Sequence, residues 1–593
     1  MEKWVIRNKK GDFESVARSH SLLHVTGKLL CNRGISEQGD VETFLHPKYE
    51  DLFSPFEMKG MDIACRIIKA AVSAKDKIRI IGDYDVDGVC STYILLDGLR
   101  RLGADVDFCI PDRVKDGYGI NESIVRSAAN DGIKLIVTCD NGIRAVNEIA
   151  LAYELGMKVV LTDHHDVPEV TPVAETILNP KFEKCEYPYS ELCGTSVALK
   201  LIEALNCEQN ARVNRDIVKR YIELDAIATV CDVVELCSEN RTIVKLGLDK
   251  LNGKGAFSSE NAAGPFEINP GLQALIECSG AGSTEIDSYK MGFVIGPCIN
   301  ASGRLDTAVR GLNLLCSVNG VEAVQSACEL VALNEERRNM TKQAVEEAER
   351  TILSQNALKD RVLVVLLENC HESIAGIVAG RIRERYERPV IILTHGLDFL
   401  KGSARSIEAY NITAELEKCS DLLLHFGGHD MAAGMSLDAA NLCEFRKRLN
   451  DNCTLTEEQM TKKVYIDLVM PGAYSDERLC REMKLLEPFG TGNPEPLFAE
   501  RNAELIAATP IGKEKQFLRL RLRDENGNIR EYVYFGDKNA FEADIAEKFG
   551  RESLAAIYKH TASGIRLSVT YLPELNEFRG NAEVSCKMRN YLL

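Results

Sequence analysis

Four short acidic segments carry the residues best suited to chemistry in this sequence. Gly82-Asp83-Tyr84-Asp85-Val86-Asp87-Gly88 follows the apolar run Ile78-Arg79-Ile80-Ile81 and precedes a helix expected from about Val89 towards Arg101. Carboxylates at alternate positions of a tight turn repel one another, and a divalent cation is what most readily makes the arrangement favourable. A calcium hand would need a Glu at the position held by Ile94, so that form of cation loop is set aside. The same design of apolar strand and polar turn recurs at Leu135-Ile136-Val137-Thr138-Cys139-Asp140-Asn141-Gly142 and at Val159-Val160-Leu161-Thr162-Asp163-His164-His165. A fourth carboxylate, Asp232, follows the apolar stretch Ala226 to Val230, where an acid needs a cation or several donors. Oxygen ligands with one or two imidazoles suit Mn2+ or Mg2+, and several carboxylates about one centre point to two ions. Two ions suit displacement at phosphorus, because they neutralise the phosphate, acidify a bridging water and stabilise the departing oxygen.

The elements that must position these groups are strands. Strand, acidic turn and helix repeat along the first half, the pattern of a doubly wound parallel sheet. Ligands of such a sheet gather beyond the carboxyl ends of its strands, so Asp83, Asp85, Asp87, Asp140 and His164 can converge although they are far apart in sequence.

Composition narrows the setting. A chain of 593 residues with 45% apolar and 27% charged residues is expected to fold as three or four globular units. The beginning has no signal-peptide pattern and no stretch is apolar enough to span a membrane, which reads as cytoplasmic. The 20 cysteines are scattered and none forms a Cys-x-x-Cys pair, so they are expected to be reduced packing residues, Cys139 and Cys231 included. Acidic residues outnumber basic ones by 89 to 72, a net charge of −17, so any contact with nucleic acid must be local, in a groove lined by Arg and Lys.

At Asp163-His164-His165 the chain resembles the DHH phosphoesterase superfamily, and the form of its first loop resembles the RecJ branch of exonucleases. Asp140-Asn141-Gly142 and Asp232 match the second and fourth motifs of that branch. The resemblance implies a metal cluster of Asp83, Asp85, Asp87, Asp140, His164 and Asp232, with Asp140 and Asp232 as bridges. Among these, Asp83 and Asp140 act in catalysis with His165, which assists the phosphate or the leaving oxygen. Leu192 to Ala198 and Gly296 to Leu305 resemble further RecJ segments, and Arg304 in the second is a candidate phosphate contact.

From Val321 to Asn356 apolar and charged residues alternate at helical spacing, predicting a long connecting helix with Leu330, Leu333, Met340 and Ala344 as packing positions. Beyond it, His371 to Arg381, Lys401 to Ser406 and Phe426 to Gly434 resemble the DHH-associated (DHHA1) domain. In RecJ-like enzymes that lobe faces the metal domain across a cleft and helps recognise the 5′ end, which makes Ser403, Arg405 and Arg113 candidates, with His371 and His429 also expected to face the cleft. The last region is β-rich. Phe517 to Arg523 alternates apolar residues with Arg519, Arg521 and Arg523, which fits a strand of an OB barrel whose arginines contact DNA, with Phe517 assigned to the core face.

The expected architecture is therefore α/β: a lead-in over 1–55 bracing the catalytic lobe, a doubly wound DHH domain over 56–315, the connecting helix over 316–358, an α/β DHHA1 domain over 359–458 and an OB-like barrel over 459–593. The resemblance implies a monomeric exonuclease specific for single-stranded DNA, working 5′ to 3′ with Mn2+ or Mg2+ and releasing 5′-mononucleotides in recombination and repair. It also implies strands supplied by a helicase or single-strand-binding protein. The alternative is a relative that cleaves short oligonucleotides or cyclic dinucleotides with the same metals. A catalytically silent DNA-binding protein is disfavoured because no acidic ligand is missing.

Overall fold

β-Branched residues fill Lys77–Ile81 (β1), Asp105–Cys109 (β2), Leu135–Thr138 (β3), Lys158–Thr162 (β4) and Thr176–Leu178 (β5), which form an all-parallel sheet of order β2-β1-β3-β4-β5 in the computed structural model. Residues 2–113, 115–207, 215–257, 267–561, 563–578 and 581–593 are described. They divide into one unit spanning Tyr49–Thr461 and another combining Met1–Lys48 with Lys462–Leu593.

The central strands of the parallel sheet are buried on both faces, which is why their sequences read as continuous apolar runs. Ile80, Val137 and Val160 pack towards Val86–Arg101 (α1) and Gly194–Leu205 (α2), while Ile81, Ile136 and Val159 pack among Val125, Ile149 and Ala152 on the other side. Arg79 interrupts the apolar run without cost because Asp107 and Asp131 accept from its guanidinium at 2.7 and 2.9 Å. The strand order reverses between β1 and β3. The expected switch point therefore lies where the Asp83 and Asp140 turns leave the sheet.

Asp216–Cys231 (α3) and Gly296–Leu305 (α4) complete the catalytic half, and Gly320–Ser354 (α5) is the connecting helix. At ~1.5 Å per residue its 35 residues reach ~52 Å. Ala323, Ala327 and Leu330 enter the core of the parallel-sheet half, whereas Ala344, Ala348 and Ile352 enter that of the next lobe, so one helix belongs to two cores. Leu330 and Ala344 are buried as expected, and Leu333 and Met340 are half-buried.

The following lobe is a five-stranded mixed sheet, Leu363–Leu367 (β6), Val390–His395 (β7), Leu400–Arg405 (β8), Leu423–His429 (β9) and Ala432–Leu437 (β10), in the order β9-β10-β8-β7-β6. Glu372–Tyr386 (α6) packs on it. Only β6 and β7 pair in parallel.

In the other unit, Phe498–Ile511 (β11), Phe517–Arg523 (β12), Ile529–Tyr534 (β13), Arg566–Phe578 (β14) and Asn581–Leu592 (β15) close into a barrel of order β11-β12-β13-β15-β14-β11 with a parallel β13–β15 pair. This is the five-stranded OB arrangement. Leu518, Leu520 and Leu522 are its core, and the arginines of β12 point outward. Phe517 does not join the core. With a period of two it shares the arginine face, half-buried against Phe535 with ring centroids 5.1 Å apart.

The lead-in expected over 1–55 divides: residues 1–48 are part of the barrel's unit, whereas Tyr49, Leu52 and Phe53 join the core of the parallel-sheet half. Lys3–Ile6 pairs in parallel with Lys463–Ile466, and Leu29, Leu30 and Phe44 share a core with barrel residues. Glu482 fixes the entering helices by accepting from the Leu23 amide and the Thr26 hydroxyl at 2.8 and 2.6 Å.

Candidate metal centre and phosphate cleft

The first acidic turn is wound tightly because Gly88 allows it: a Cβ there would stand 2.4 Å from the carbonyl of Asp83. Asp85 caps α1, accepting from the Gly88 amide at 3.0 Å. Asp87 lies inside the first turn of α1, and its two carboxylate oxygens accept from the amides of Gly194 and Thr195 at 2.6 and 2.7 Å. Those amides open α2, so the positive end of one helix holds an acid carried by another. Gly194 is also the wall of the site, since a Cβ there would meet Cβ of Asp140 at 2.7 Å.

Asp140 leaves β3 with a left-handed φ of 60° and is 3% exposed. Asn141 clamps this turn by donating to the carbonyls of Ile81 and Cys139. His164, at the end of β4, places Nε2 3.1 Å from Asp140 and 3.7 Å from both Asp87 and Asp232. Asp232 terminates α3.

The five acids and one imidazole expected to converge do so, and they form two trios. Ligand atoms of Asp83, Asp85 and Asp140 lie within 4.8 Å of one another, as do those of Asp87, His164 and Asp232, and the Asp140–His164 contact joins the sets. Burial, reinforced by neighbouring carboxylates, pushes Asp83, Asp140 and Asp232 well above the usual carboxylate range. Asp83 Oδ1 is buried without a hydrogen-bond partner. Burial also holds His164 below its ordinary value, favouring the neutral imidazole that binds metals. Crowded carboxylates, an orphaned oxygen and one neutral imidazole per pair of trios fit two hard divalent cations. Burial pushes the Cys139 thiol up to about 12, so it stays protonated beside the site.

His165 is organised differently. Asp163 accepts from its Nδ1 at 2.8 Å and from its amide at 3.1 Å, and also from the amides of His164 and Ile143. Burial pushes Asp163 up, but the hydrogen bond and charge of His165 outweigh it and hold the carboxyl below its usual value. Reciprocally, burial lowers His165 while the Asp163 bond outweighs it and leaves the imidazole raised. Tyr118 donates to the carbonyl of Asp140 at 2.9 Å and approaches the His165 ring at 3.3 Å. A cavity of about 450 Å³ opens in front of this group, lined by Tyr118, Arg144 and His165 from one lobe and His429 from the other.

A second cavity, of about 240 Å³, brings Arg113 together with Ser373 and Ser403. Arg405 lies alongside, so close to α6 that a Cβ at Gly376 would stand 2.9 Å from its Nη2. Arg304 donates to the Ser373 carbonyl at 2.7 Å. Burial, with Arg113 and Arg337 nearby, pushes the Arg304 guanidinium down to about 9, and burial with Arg113 and Arg383 lowers Arg405. Such crowding of cations is the signature of a site awaiting an anion. Arg113 is steadied by lying 4.4 Å over the Tyr84 ring.

His371 has a structural task. Its Nδ1 accepts from the Ser373 amide at 3.2 Å and caps α6. His371→Ala is expected to lower stability by about 1 kcal/mol, with His371→Asn restoring most of it, measured by thermal melting. Arg519, Arg521 and Arg523 form an outward row on the barrel, but Glu531 faces the first two and Glu504 lies 3.1 Å from the third.

Family comparisons match this architecture domain by domain: the DHH family N-terminal domain over residues 77–229, the DHHA1 domain over 359–454 and the RecJ OB domain over 466–590. The single-stranded-DNA-specific exonuclease RecJ of Salmonella typhimurium is 33% identical, with 97% of each chain covered. The chain belongs to the RecJ family. RecJ of Bacillus subtilis is 39% identical over 89% of this chain, which spans 65% of that relative's length. The crystal structure of Thermus thermophilus RecJ in complex with Mn2+ superposes with a TM-score of 0.79 at 27% identity, covering all of this chain and 79% of that one. The same enzyme in complex with Mg2+ gives 0.74 at 26%, covering 99% and 78%. Among the described residues no helix is long and apolar enough to cross a membrane.

Proposed function

We propose that this chain hydrolyses single-stranded DNA from the 5′ end, using two Mn2+ or Mg2+ ions and releasing 5′-mononucleotides. The observation that carries the reading is the pairing of two acid-rich ligand trios at the sheet's switch point with a cation-rich cleft, within the architecture of the RecJ family. Asp83, Asp85 and Asp140 would hold one ion, Asp87, His164 and Asp232 the other, with Asp140 placed to bridge. Bound there, the ions supply a water acidic enough to attack phosphorus and charge to stabilise the oxygen that departs.

The chain's own groups do the rest. The helix amides on Asp87 and the clamp on the Asp140 turn keep the ligand carboxylates in place before any strand arrives. Arg113, Arg304, Ser403 and Arg405 bind the terminal phosphate and so set which bond lies over the trios. His165, held by Asp163, carries a proton towards the cavity shared with Tyr118 and His429, where it can pass to the leaving O3′. Cleavage on that side leaves a 5′-phosphate on the shortened strand, so each cycle regenerates the group the cleft recognises. The free cysteines accord with a reducing, cytoplasmic setting.

The test uses full-length protein with Mn2+ on 5′-labelled and 3′-labelled single strands and on duplex. The expected result is immediate release of the 5′ label as mononucleotide, with duplex spared and activity abolished by EDTA and restored by either metal. Survival of long strands alongside cleavage of dinucleotides or cyclic dinucleotides would replace this reading with the small-substrate alternative.

A further inference from the structure

Between Ser288 and Leu305 the chain forms one helical rod: an α turn at Ser288–Lys290, a π turn at Met291–Ile295, then α4. Glycines fix the side that packs. A Cβ at Gly292 would stand 3.3 Å from Val230, at Gly296 2.2 Å from the Cys231 sulfur, and at Gly303 2.4 Å from the Tyr84 carbonyl. This side is pressed against the end of α3 that bears Asp232 and against the first acidic turn.

The neighbouring stripe is open. Tyr289, Phe293, Pro297, Asn300 and Arg304 recur at helical spacing and are all half-buried or exposed, while Ile295, Cys298, Ile299 and Ser302 beside them are buried. At its inner end Asn300 accepts from the Val86 amide at 3.2 Å, and Arg304 reaches the cleft. At its outer end Tyr289 and Phe293 are 64% and 70% exposed, their rings stacked with centroids 4.9 Å apart and planes 24° from parallel. Eleven residues at ~1.5 Å rise put Phe293 ~16 Å along the rod from Arg304.

Two large rings left this open forgo hydrophobic burial, and π turns within α-helices recur at functional sites. We propose that Tyr289 and Phe293 form a base-stacking platform for the part of the single strand that lies outside the cleft. With the 5′ end held at the arginines, that part is necessarily the 3′ side, and the stripe leads from one place to the other. Stacking suits an acidic protein that reads no sequence, because every base offers a π face and no net positive surface is needed. The inference rests on the exonuclease reading above.

The test compares wild type, Tyr289→Ala/Phe293→Ala, Phe293→Leu and Phe293→Trp on an oligothymidylate of about twenty nucleotides and on a trinucleotide, all with Mn2+. Losing the platform is expected to raise KM on the long strand about five- to a hundredfold, with kcat and the trinucleotide reaction changed by less than about twofold. Phe293→Leu should share the defect and Phe293→Trp should escape it, which separates stacking from mere apolar contact. A 2-aminopurine placed along the strand should be quenched at one position in wild type and released in the double variant. Unchanged KM and unchanged quenching in the double variant would overturn the platform. Failure of the wild type to degrade any long strand would instead overturn the exonuclease reading.

Discussion

Asp140→Ala is expected to lower kcat on single-stranded DNA by about 10³-fold or more while leaving the metal-free protein at least as stable as wild type. The first half follows from position. Asp140 belongs to one trio and touches the imidazole of the other, so its loss would disturb the sites proposed for both ions, and a two-ion centre lowers the barrier at phosphorus by several kcal/mol. The second half follows from repulsion. Asp140 is buried among Asp83, Asp85 and Asp87, and burial with those neighbours is what drives its carboxyl upward. It also sits in a left-handed backbone conformation that alanine tolerates less well than Asp, a cost the relief of repulsion is expected to outweigh. Single-turnover rates and thermal melts with and without Mn2+ check both halves. Wild type should gain thermal stability on adding Mn2+, and the variant should gain much less. A variant that keeps its rate would remove Asp140 from the centre. One that loses rate because it melts far below wild type would show the side chain to be structural.

The sheet and its acidic turns were legible because the signal is local: an apolar run followed by a polar turn announces a strand end, and strand ends of a parallel sheet gather ligands. What holds those ligands was not. Gly194 and Thr195 serve Asp87 from more than a hundred residues away, and nothing in a helix-opening Gly-Thr-Ser marks which acid its amides will meet. Tyr118 was missed for the same reason. Asp163 stands within the motif itself, yet only its histidines received roles. An acid immediately before two histidines could have been read as their orienting partner. The cap that His371 supplies could have been foreseen from Ser373 two residues on. The division of the lead-in was not legible, because four residues, Lys3–Ile6, decide the pairing of its first part with a strand beyond residue 460. Phe517 needed only consistent counting along β12, where odd-numbered positions face outward.

Arg405→Ala is expected to abolish the preference for a 5′-phosphorylated strand, lowering its kcat/KM by about 30- to 10³-fold while 5′-hydroxyl strands lose little. The reasoning begins with the crowd of guanidinium groups. Burial first, and then Arg113, depresses both Arg304 and Arg405, with Arg337 adding to the first and Arg383 to the second, yet no carboxylate is bonded to either among the described residues. Other arginines of this acidic chain do find carboxylates, as Arg79 does with two of them. Buried cations held close together keep a repulsion that Asp85 offsets only in part and that a bound anion relieves, and a terminal phosphate carries more charge than the diesters behind it. The fork geometry of the guanidinium adds direction, so Arg405→Lys should restore only part of the loss. Rates on matched 5′-phosphate and 5′-hydroxyl strands, taken below saturation, separate two roles. An equal fall on both would assign Arg405 to the scissile phosphate rather than the terminal one. A selective fall would explain how a strand is seated by its end and advanced one nucleotide at a time, since every cut delivers a fresh terminal phosphate to the same arginines.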